Sequence, residues 1–362
     1  MKVLENTQPG RQPTLRDVAE RAGVSLATAS QALNNRPNVT PETRRRVIES
    51  AAALGYRPLR SRRHEALSVV GMLVKHDYGL PLTFNPFFSQ VQIGVEQECR
   101  ARHLSLMVAT VDVDRSNRPV MWPRMIEDNS VDGLLLVGTN IEMTAEALQH
   151  KYLPDKPIVL VDSYARGFHF DSVLIDNFGG ATQAVEHLIE LGHRHIALIG
   201  SNPDSPPDIL ERRQAYFEAL RRHGIEATYV EDSLMSREAG YEMLQRLLRR
   251  APQVTGVFVV NDDTAIGVLQ AAQDMGLRIP DDLSIVGFDD IALAGQVRPA
   301  LTTVRVPIPW LGRLGVRQLL ERSCNPDQPQ VTSTLATQLV VRQSSGPCRR
   351  CEEAEVKDMR IA

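Results

Sequence analysis

The spacing of hydrophobic residues in the first 58 positions predicts three short helices. Apolar residues recur every three or four positions in three stretches: 15–22, 29–33 and 47–54. Thr14, Ser25 and Thr40 precede these stretches and are suited to cap a helix N-terminus. Gly23 leaves room only for a tight turn between the first two helices, which is the helix-turn-helix arrangement.

From residue 67 the pattern changes to continuous apolar runs of strand length that alternate with helical patterns. The apolar runs are 69–74, 104–109, 133–137, 158–161, 172–175, 196–200, 256–260 and 284–287. The helical patterns are 87–103, 179–191, 211–223, 239–250 and 264–275. Fully apolar strands separated by crossover helices predict parallel sheets covered on both faces. Two doubly wound α/β subdomains fit this pattern, and a single eight-fold barrel is the alternative that periodicity leaves open.

Charge is distributed unevenly along the chain. Residues 1–66 hold 12 Lys and Arg against 6 Asp and Glu, and the remainder holds 29 against 38, so a head of net charge +6 precedes a body of net charge −9. Residues 59–66 are basic and polar without apolar periodicity, which is typical of a linker. A basic head on an acidic body predicts that the head alone binds a polyanion.

The composition of the 362-residue chain, with 43% hydrophobic residues, is that of a globular protein in water. It contains no uncharged apolar run of the ~20 residues that a membrane helix needs, and its N-terminus has no apolar signal segment. Four cysteines are too few for a disulfide framework. We therefore expect a cytoplasmic protein with no membrane partner.

Signatures of catalysis are absent from the sequence. It has no phosphate-binding loop, dinucleotide-binding glycine motif, zinc-protease motif or nucleophile elbow. His193 and His195 are better explained as polar residues after a helix end than as metal ligands, and Cys348 and Cys351 as incidental cysteines of a polar tail. We therefore expect no enzymatic activity, no cofactor and no metal.

Short polar side chains follow two of the predicted strands. Asn261 and Asp262 follow one strand, and Asp289 follows another. Ligands of open α/β sheets bind beyond the carboxyl ends of the strands, so these residues predict a small-molecule site. Capping of the following helix is the alternative, and it suits Asp262 or Asp263 better than Asp289.

An ordered series of motifs resembles the lactose-repressor (LacI/GalR) family of bacterial transcription regulators. In the head they are TLRDVAERAGVSLATASQALN at 14–34, NVTPETRRRV at 38–47 and LGYRP at 54–58. In the body they are NPFF at 85–88, VDG at 131–133, DN at 176–177, HLIELGH at 187–193, ND at 261–262, VGFDD at 286–290 and LTTV at 301–304. The resemblance covers residues 14 to about 342. It implies a DNA-binding repressor that responds to a small molecule.

The family's architecture implies a helix-turn-helix head joined to a two-lobed core similar to periplasmic binding proteins. The matching boundaries are 1–58 for the head, 59–66 for the linker, 67–175 plus 306–331 for the N-terminal lobe, 176–305 plus 332–346 for the C-terminal lobe, and 347–362 for a disordered tail. The resemblance also implies a homodimer that reads a pseudo-palindromic operator in double-stranded DNA. Because the tail shows no apolar heptads, we expect a dimer rather than a four-chain assembly.

The positions that match the family's DNA contacts are Thr14, Ser25, Leu26, Ala27, Thr28, Ser30, Gln31, Asn34, Asn38, Thr40, Thr43 and Tyr56. The resemblance makes 25–34 the recognition helix, with Leu26, Ala27 and Gln31 facing base edges. It assigns phosphate contacts to Thr28, Ser30, Asn34, Thr40 and Thr43. Gln31 stands where many relatives have arginine, which predicts adenine rather than guanine at that step. The linker is about three residues shorter than usual, with Glu65 where a DNA-bending leucine would fall, so the family's bending of the operator is not carried over to this chain.

The positions that match the family's effector contacts are Phe87, Phe88, Asp162, Arg212, Asn261 and Asp289. An aromatic ring stacks on the apolar face of a sugar, and buried polar groups bind its hydroxyls. Met235 stands where several relatives have a stacking aromatic residue. A saccharide is the expected effector, with a nucleobase, a nucleoside or a sugar phosphate as alternatives. A sugar-processing α/β enzyme with an accessory head is the alternative from another class.

Overall fold

The computed structural model describes residues 13–33, 39–54, 67–77, 86–114, 116–153, 155–163, 170–232 and 235–349. The chain divides into two compact units, residues 1–66 and residues 67–362. Within the described residues, no helix combines the length and the apolar character needed to cross a membrane.

The first unit is helical, as the hydrophobic pattern predicts. Its helices are α1 (Leu15–Ala22), α2 (Leu26–Leu33) and α3 (Pro41–Leu54). Val18, Ala29 and Val47 are fully buried where the three helices meet. Gly23 follows α1 with a φ of 63°, and its N–H donates to carbonyls of the last helical turn. Glycine adopts this left-handed conformation without strain, so it allows the tight turn into α2.

The second unit contains two sheets, each with helices on its faces. The elements of the first lobe are β1 (Val69–Asp77), α4 (Pro86–Ala101), β2 (Ser105–Val113), β3 (Pro119–Met121), α5 (Arg124–Glu127), β4 (Gly133–Val137), α6 (Glu142–Ala147), β5 (Ile158–Val161), β6 (Asp171–Ile175), α11 (Ile308–Cys324) and β12 (Thr332–Leu335). The strand order is β12-β6-β5-β4-β1-β2-β3, and all neighbours are parallel except β2 and β3.

The second lobe has the same design. Its elements are α7 (Asn177–Glu190), β7 (Ile196–Ile199), α8 (Pro207–Arg222), β8 (Tyr229–Glu231), α9 (Arg237–Arg250), β9 (Gly256–Val259), α10 (Asp262–Asp274), β10 (Ser284–Asp289), β11 (Thr302–Arg305) and β13 (Gln338–Val340). The strand order is β13-β11-β10-β9-β7-β8, and only the β11–β13 pair is antiparallel. Two separate sheets rule out the eight-fold barrel and confirm the doubly wound alternative.

Two predicted boundaries differ from the structure. The last crossing between the lobes, expected near Thr332, lies beyond Leu335, because β12 pairs with β6 at the edge of the first sheet and β13 joins the second. The expected tail from residue 347 is also wrong at its start. Cys348 is 4% exposed, and its N–H donates to the carbonyl of Leu191 at 2.8 Å. The remaining tail residues, 350–362, lie outside the described part of the chain.

Two glycines let α4 and α11 pack backbone to backbone in the first lobe. A Cβ atom on Gly94 would overlap the carbonyl oxygen of Pro309, and one on Gly312 would overlap the carbonyl oxygen of Val91. Neither obstacle is the end of a flexible side chain, so neither helix can make room without shifting.

Replacing Gly312 with alanine is expected to lower the free energy of unfolding by about 1–3 kcal/mol, the usual cost of overpacking. Thermal and urea denaturation of the purified variant measure this loss. Gly295→Ala is the matched control, because its Cβ meets no atom within 4 Å. Equal stability of the two variants would contradict the close approach of the helices.

Candidate functional site

Thr14, Ser25 and Thr40, the residues predicted to cap the three helices of the head, are helix caps in the structure. The Thr14 amide donates to Asp17 at 2.6 Å, and the Thr14 hydroxyl accepts from the Asp17 amide at 3.4 Å. The Ser25 hydroxyl accepts from the Thr28 amide at 3.0 Å, and the Thr40 hydroxyl accepts from the Thr43 amide at 3.3 Å. These bonds fix the first turns of α1, α2 and α3, whose N-termini carry the positive end of the helix dipole.

Helix α2 exposes one face to solvent, and this face carries both apolar and polar side chains. Leu26 is 48% exposed, and Ala27 and Gln31 are exposed on the same side, whereas Ala29 and Ala32 are buried against the other helices. Thr28 and Ser30 are half-buried beside this face. An exposed leucine has no packing role within the head, so the face is suited to contact another molecule. The predicted residues Asn34, Asn38 and Tyr56 lie outside the described residues.

A cleft lies between the two lobes of the second unit. Its lining residues are Thr139, Asp162, Ser163, Leu174, Ile175, Asn177, Pro207, Asp208 and Glu211. The first lobe contributes Thr139, Asp162 and Ser163, and the second contributes Asn177 and the start of α8. The space between the lining residues, open mouth included, is about 330 Å³.

Arg212 is buried behind this cleft and is held on three sides. Its Nε donates to Oδ1 of Asn177 at 2.9 Å, and its Nη1 donates to the carbonyl of Val260 at 2.6 Å and to Oδ1 of Asp289 at 3.4 Å. The guanidinium carbon lies 3.8 Å from the centre of the Phe288 ring. Only 4% of Arg212 is exposed, and a cation this deep is stable only with such partners.

More carboxyl groups surround Arg212 than its single positive charge can neutralise. Burial raises the pKa of Asp289 to about 6, against the opposing effect of Arg212. Burial also raises the pKa of Asp162 well above its usual range, and the nearby Asp208 adds to this increase. The pKa of Asp208 and that of Glu211 are raised for the same first reason, burial. One arginine therefore faces four acidic side chains that have been partly withdrawn from water.

Backbone strain marks two of these acidic residues. Asp162, directly after β5, has a φ of 58°, and Asp289, at the end of β10, has a φ of 111°. Residues other than glycine rarely adopt such angles, and they cluster where function fixes a side chain's direction. Both residues lie at the carboxyl ends of their strands, where the sequence predicts a ligand site.

Of the six predicted effector positions, Asp162 alone lines the cleft among the described residues. Arg212 and Asp289 form the layer behind it through Asn177. Phe87 and Phe88 are half-buried at the start of α4, with ring centres 5.7 Å apart, and both pack against the hydrophobic core. Met235, the departure from the family's stacking aromatic, is 41% exposed.

Asn261 serves as the N-cap of α10, since its side chain accepts from the Thr264 amide at 3.0 Å. The capping expected of Asp262 or Asp263 is therefore wrong. Asp262 is buried and accepts from the Ile291 amide at 2.9 Å and from the Thr303 hydroxyl at 2.6 Å, while Asp263 pairs with Arg237 at 2.8 Å. These bonds explain Asp262 without a ligand.

Sequence reasoning missed eight of the nine lining residues, among them Asn177, Asp208 and Glu211. Asn177 belongs to one of the motifs shared with the family, and Glu211 precedes Arg212 directly. Asp208 follows two prolines at the start of α8, a pattern that indicates only a helix N-terminus. Their convergence depends on how the lobes fold.

His193 and His195, which the sequence analysis weighed as metal ligands, have structural partners. Nδ1 of His193 lies 2.9 Å from the Thr255 hydroxyl, and Nε2 lies 3.1 Å from the Gly346 carbonyl. Burial lowers the pKa of His193 to about 4, so its imidazole is neutral at pH 7. Nδ1 of His195 lies 3.0 Å from the Tyr229 hydroxyl. Within the described residues, no group of His, Cys, Asp and Glu has the spacing to hold a metal ion.

Comparison with known proteins identifies both units. Residues 14–58 match the model of bacterial regulatory proteins of the lacI family, and residues 185–345 match a periplasmic binding protein-like domain. The ribose operon repressor of Haemophilus influenzae is 34% identical over 91% of this chain and 98% of its own. The transcriptional repressor CytR of Escherichia coli is 32% identical over 92% of this chain and 96% of its own.

Solved structures show the same fold. A LacI family transcriptional regulator from Enterococcus faecium with bound ribose superposes with a TM-score of 0.67 at 27% identity, covering 78% of this chain and 100% of its own. The lac repressor dimer bound to operator and an anti-inducer superposes with a TM-score of 0.67 at 25% identity, covering 93% and 100%.

Replacing Asp162 with asparagine is expected to flatten the pH dependence of stability in the ligand-free protein. The folded chain keeps a proton on Asp162 at pH values where the unfolded chain has lost it, so wild-type stability falls as pH rises from about 4 through the raised pKa. The free energy of unfolding falls by about 1.4 kcal/mol for each pH unit between the unfolded and folded pKa values. Asparagine, which tolerates a positive φ, removes this loss.

Denaturation at pH 4.5 and pH 7.5 measures the difference between the wild type and the variant. Asp204→Asn, at an exposed position, is the control and should follow the wild type. Parallel pH profiles for the wild type and Asp162→Asn would contradict the buried position of this carboxyl group.

Proposed function

The chain belongs to the lacI family of bacterial regulatory proteins, and on that premise we propose that a saccharide in the interlobe cleft sets the affinity of this DNA-binding repressor for its operator. The observation that carries the proposal is the buried network of Arg212, Asn177 and Asp289 directly behind the cleft. Such a network holds hydrogen-bonding groups in place before a ligand arrives.

DNA binding is assigned to the head. Its excess of six positive charges supplies the non-specific attraction to phosphates. Leu26, Ala27 and Gln31, exposed on α2, read base edges in the major groove. The side chains of Thr28, Ser30, Asn34, Thr40 and Thr43 contact phosphates and fix the register of the head without specifying sequence. Thr14, Ser25, Asn38 and Tyr56 are the remaining positions assigned to DNA binding.

A homodimer supplies two heads for a pseudo-palindromic operator. The first lobe offers exposed apolar side chains for this contact. Ile93 on α4 is 48% exposed, and Met107 and Val108, which point to opposite faces of β2, are 37% and 44% exposed. Exposed apolar side chains on a strand near the sheet edge and its neighbouring helix favour pairing with a second copy. The lac repressor, whose fold this chain shares, is a dimer on its operator.

The cleft favours a ligand rich in hydroxyl groups. Carboxylate and amide oxygens of Asp162, Asp208, Glu211 and Asn177 line it and accept hydrogen bonds from hydroxyls. No Lys, Arg or His is among the described lining residues, and the nearby Arg212 is engaged by Asp289 and by backbone. A sugar phosphate would bring further negative charge against these carboxyl groups, so the proposal excludes it. Similar proteins carry ribose and cellobiose in their structures.

Replacing Gln31 with arginine is expected to change the selected operator from adenine to guanine at one base pair in each half-site. Gln pairs bidentately with adenine and Arg with guanine, so the variant should lose about 1–3 kcal/mol on the original operator. Selection of operators from a randomised pool, followed by titration, measures both effects.

Ala52→Arg adds the same charge on an exposed position of α3 and is the control for charge alone. It should strengthen binding to every sequence alike. Selection of the same base by wild type and Gln31→Arg would show that Gln31 does not read DNA.

Replacing Arg212 with lysine is expected to abolish the response to a saccharide while leaving operator binding without ligand in place. A lysine ammonium cannot hold Asn177, Val260 and Asp289 at once, so the pre-formed cleft is lost although the charge remains. A thermal-shift screen against mono- and disaccharides identifies the ligand, and operator titration with and without it measures the response.

Arg213→Lys is the matched control, because Arg213 pairs with Asp232 at 2.8 Å, away from the cleft lining. An unchanged saccharide response in Arg212→Lys would place the ligand elsewhere. A folded wild type that binds operator but responds to no saccharide would overturn the effector class.

A further inference from the structure

The cleft holds more carboxyl groups than a neutral sugar requires. Asp162, Asp208 and Glu211 all line it, and Asp289 lies close enough to raise the pKa of Asp162 further. Arg212 is the cation that opposes them, and its Nε and Nη1 are already committed to Asn177, Val260 and Asp289. Hydroxyl groups accept or donate hydrogen bonds but carry no charge that would offset this excess.

One carboxyl oxygen of this group, in Asp208, lacks a hydrogen-bond partner in the described part of the chain. Its Oδ1 is shielded from solvent and has no hydrogen-bond partner within the described residues, although the side chain lines the cleft. A buried carboxylate oxygen left in this state costs free energy, and a positively charged donor is the partner that restores most of it. Glu211 lies one helical turn along α8 from Asp208, three residues on, so both carboxyls are on the same side of the helix.

The first lobe closes the other side of this acidic pocket. Asp162, held at a φ of 58° after β5, and the neighbouring Ser163 line the cleft opposite the start of α8. A single nitrogen placed among Asp162, Asp208 and Glu211 would therefore bridge the two lobes. Its positive charge would also lower the pKa values that burial raises, so that carboxyl groups that hold a proton in the ligand-free cleft ionise in the complex.

We propose that the effector is an amino sugar, whose protonated amine is bound by Asp162, Asp208 and Glu211 while its hydroxyls meet Asn177 and the remaining polar lining. This assignment rests on the proposed saccharide response and narrows its ligand class.

The test compares hexosamines with their neutral counterparts on the full-length dimer. Glucosamine, galactosamine and mannosamine are titrated at pH 6.5 against the three parent hexoses and the three N-acetyl derivatives, by calorimetry and by operator titration. One hexosamine should bind at least about tenfold more tightly than its hexose and its N-acetyl form, the effect of one desolvated charge pair. N-Acetylation keeps the nitrogen but removes the charge, so it separates charge from shape.

Asp208→Asn should reduce that preference about tenfold, because asparagine keeps the shape of the side chain without its charge. Asp162→Asn is the second variant and should act in the same direction. Asp204→Asn, four residues before Asp208 and exposed, is the control and should keep the wild-type preference. Equal effects of Asp204→Asn and Asp208→Asn would overturn the assignment of the amine site.

Failure of the amino-sugar proposal can be distinguished from failure of the proposed saccharide response. A neutral hexose that binds as tightly as its amine, or more tightly, would overturn the amino-sugar proposal and leave the saccharide response standing. Binding of neither set by a protein that still binds operator would overturn both.

Discussion

The buried guanidinium of Arg212 is the interaction on which the arrangement of the cleft depends. It joins the first residue of α7, the residue after β9 and the last residue of β10, and it stacks on Phe288 from the same strand. A cation removed from water costs several kcal/mol unless each partner is in place. The ends of these elements are therefore held together as a unit, and the strained φ of Asp289 is maintained by that unit.

A buried cation also determines how many buried carboxyl groups can be neutralised around it. Asp289 balances Arg212 directly, whereas Asp162, Asp208 and Glu211 extend the acidic group beyond what one arginine neutralises. At another site in the first lobe the ratio of acidic to basic side chains is reversed. The buried Glu98 pairs with Arg317, Arg313 and Arg102, and these partners lower its pKa. The contrast shows that the protein pairs this structural carboxylate with ample positive charge and leaves the cleft carboxylates short of it.

The sequence predicts the central strands closely because they are apolar on both faces. β4 and β5 have the predicted bounds, 133–137 and 158–161, since a strand between two helical layers has no polar position. β3, β8, β12 and β13 were not predicted, because they are edge strands of three or four residues with mostly exposed or half-buried side chains. β11 was also missed, although it lies inside the second sheet, because two of its three buried residues, Thr302 and Thr303, are polar. Edge pairing of β12 with β6 is also the reason that the last lobe crossing was misplaced.

Only some of the cleft residues were predicted, because only some carry a signal that is local in the sequence. Strand-end position and family resemblance single out Asp162, Arg212 and Asp289, because those signals are local in sequence. Asn177, Asp208 and Glu211 carry only helix N-terminal signals, and their convergence results from long-range contacts such as the one between Arg212 and Asn177, 35 residues apart. Asn261 shows the converse error, since a strand-end amide that suits a ligand equally suits the first turn of α10.

Cleft occupancy can act on the lobes because the crossings between them adjoin the residues that line or support the cleft. The Asp176 amide donates to the Leu335 carbonyl at 3.0 Å, and the Thr337 hydroxyl donates to the Asp176 carbonyl at 3.2 Å, so two crossings are bonded beside Asn177. The third crossing meets Asp289, whose carbonyl accepts from the Val306 amide at 3.4 Å. Each lobe is stiffened by a buried sheet and by a pair of helices in backbone contact, α4 with α11 in the first lobe and α9 with α10 in the second. A ligand that bridges Asp162 and Asp208 would act on the angle between two stiff lobes rather than deform either one, which is the condition for transmitting occupancy as a shift between discrete states.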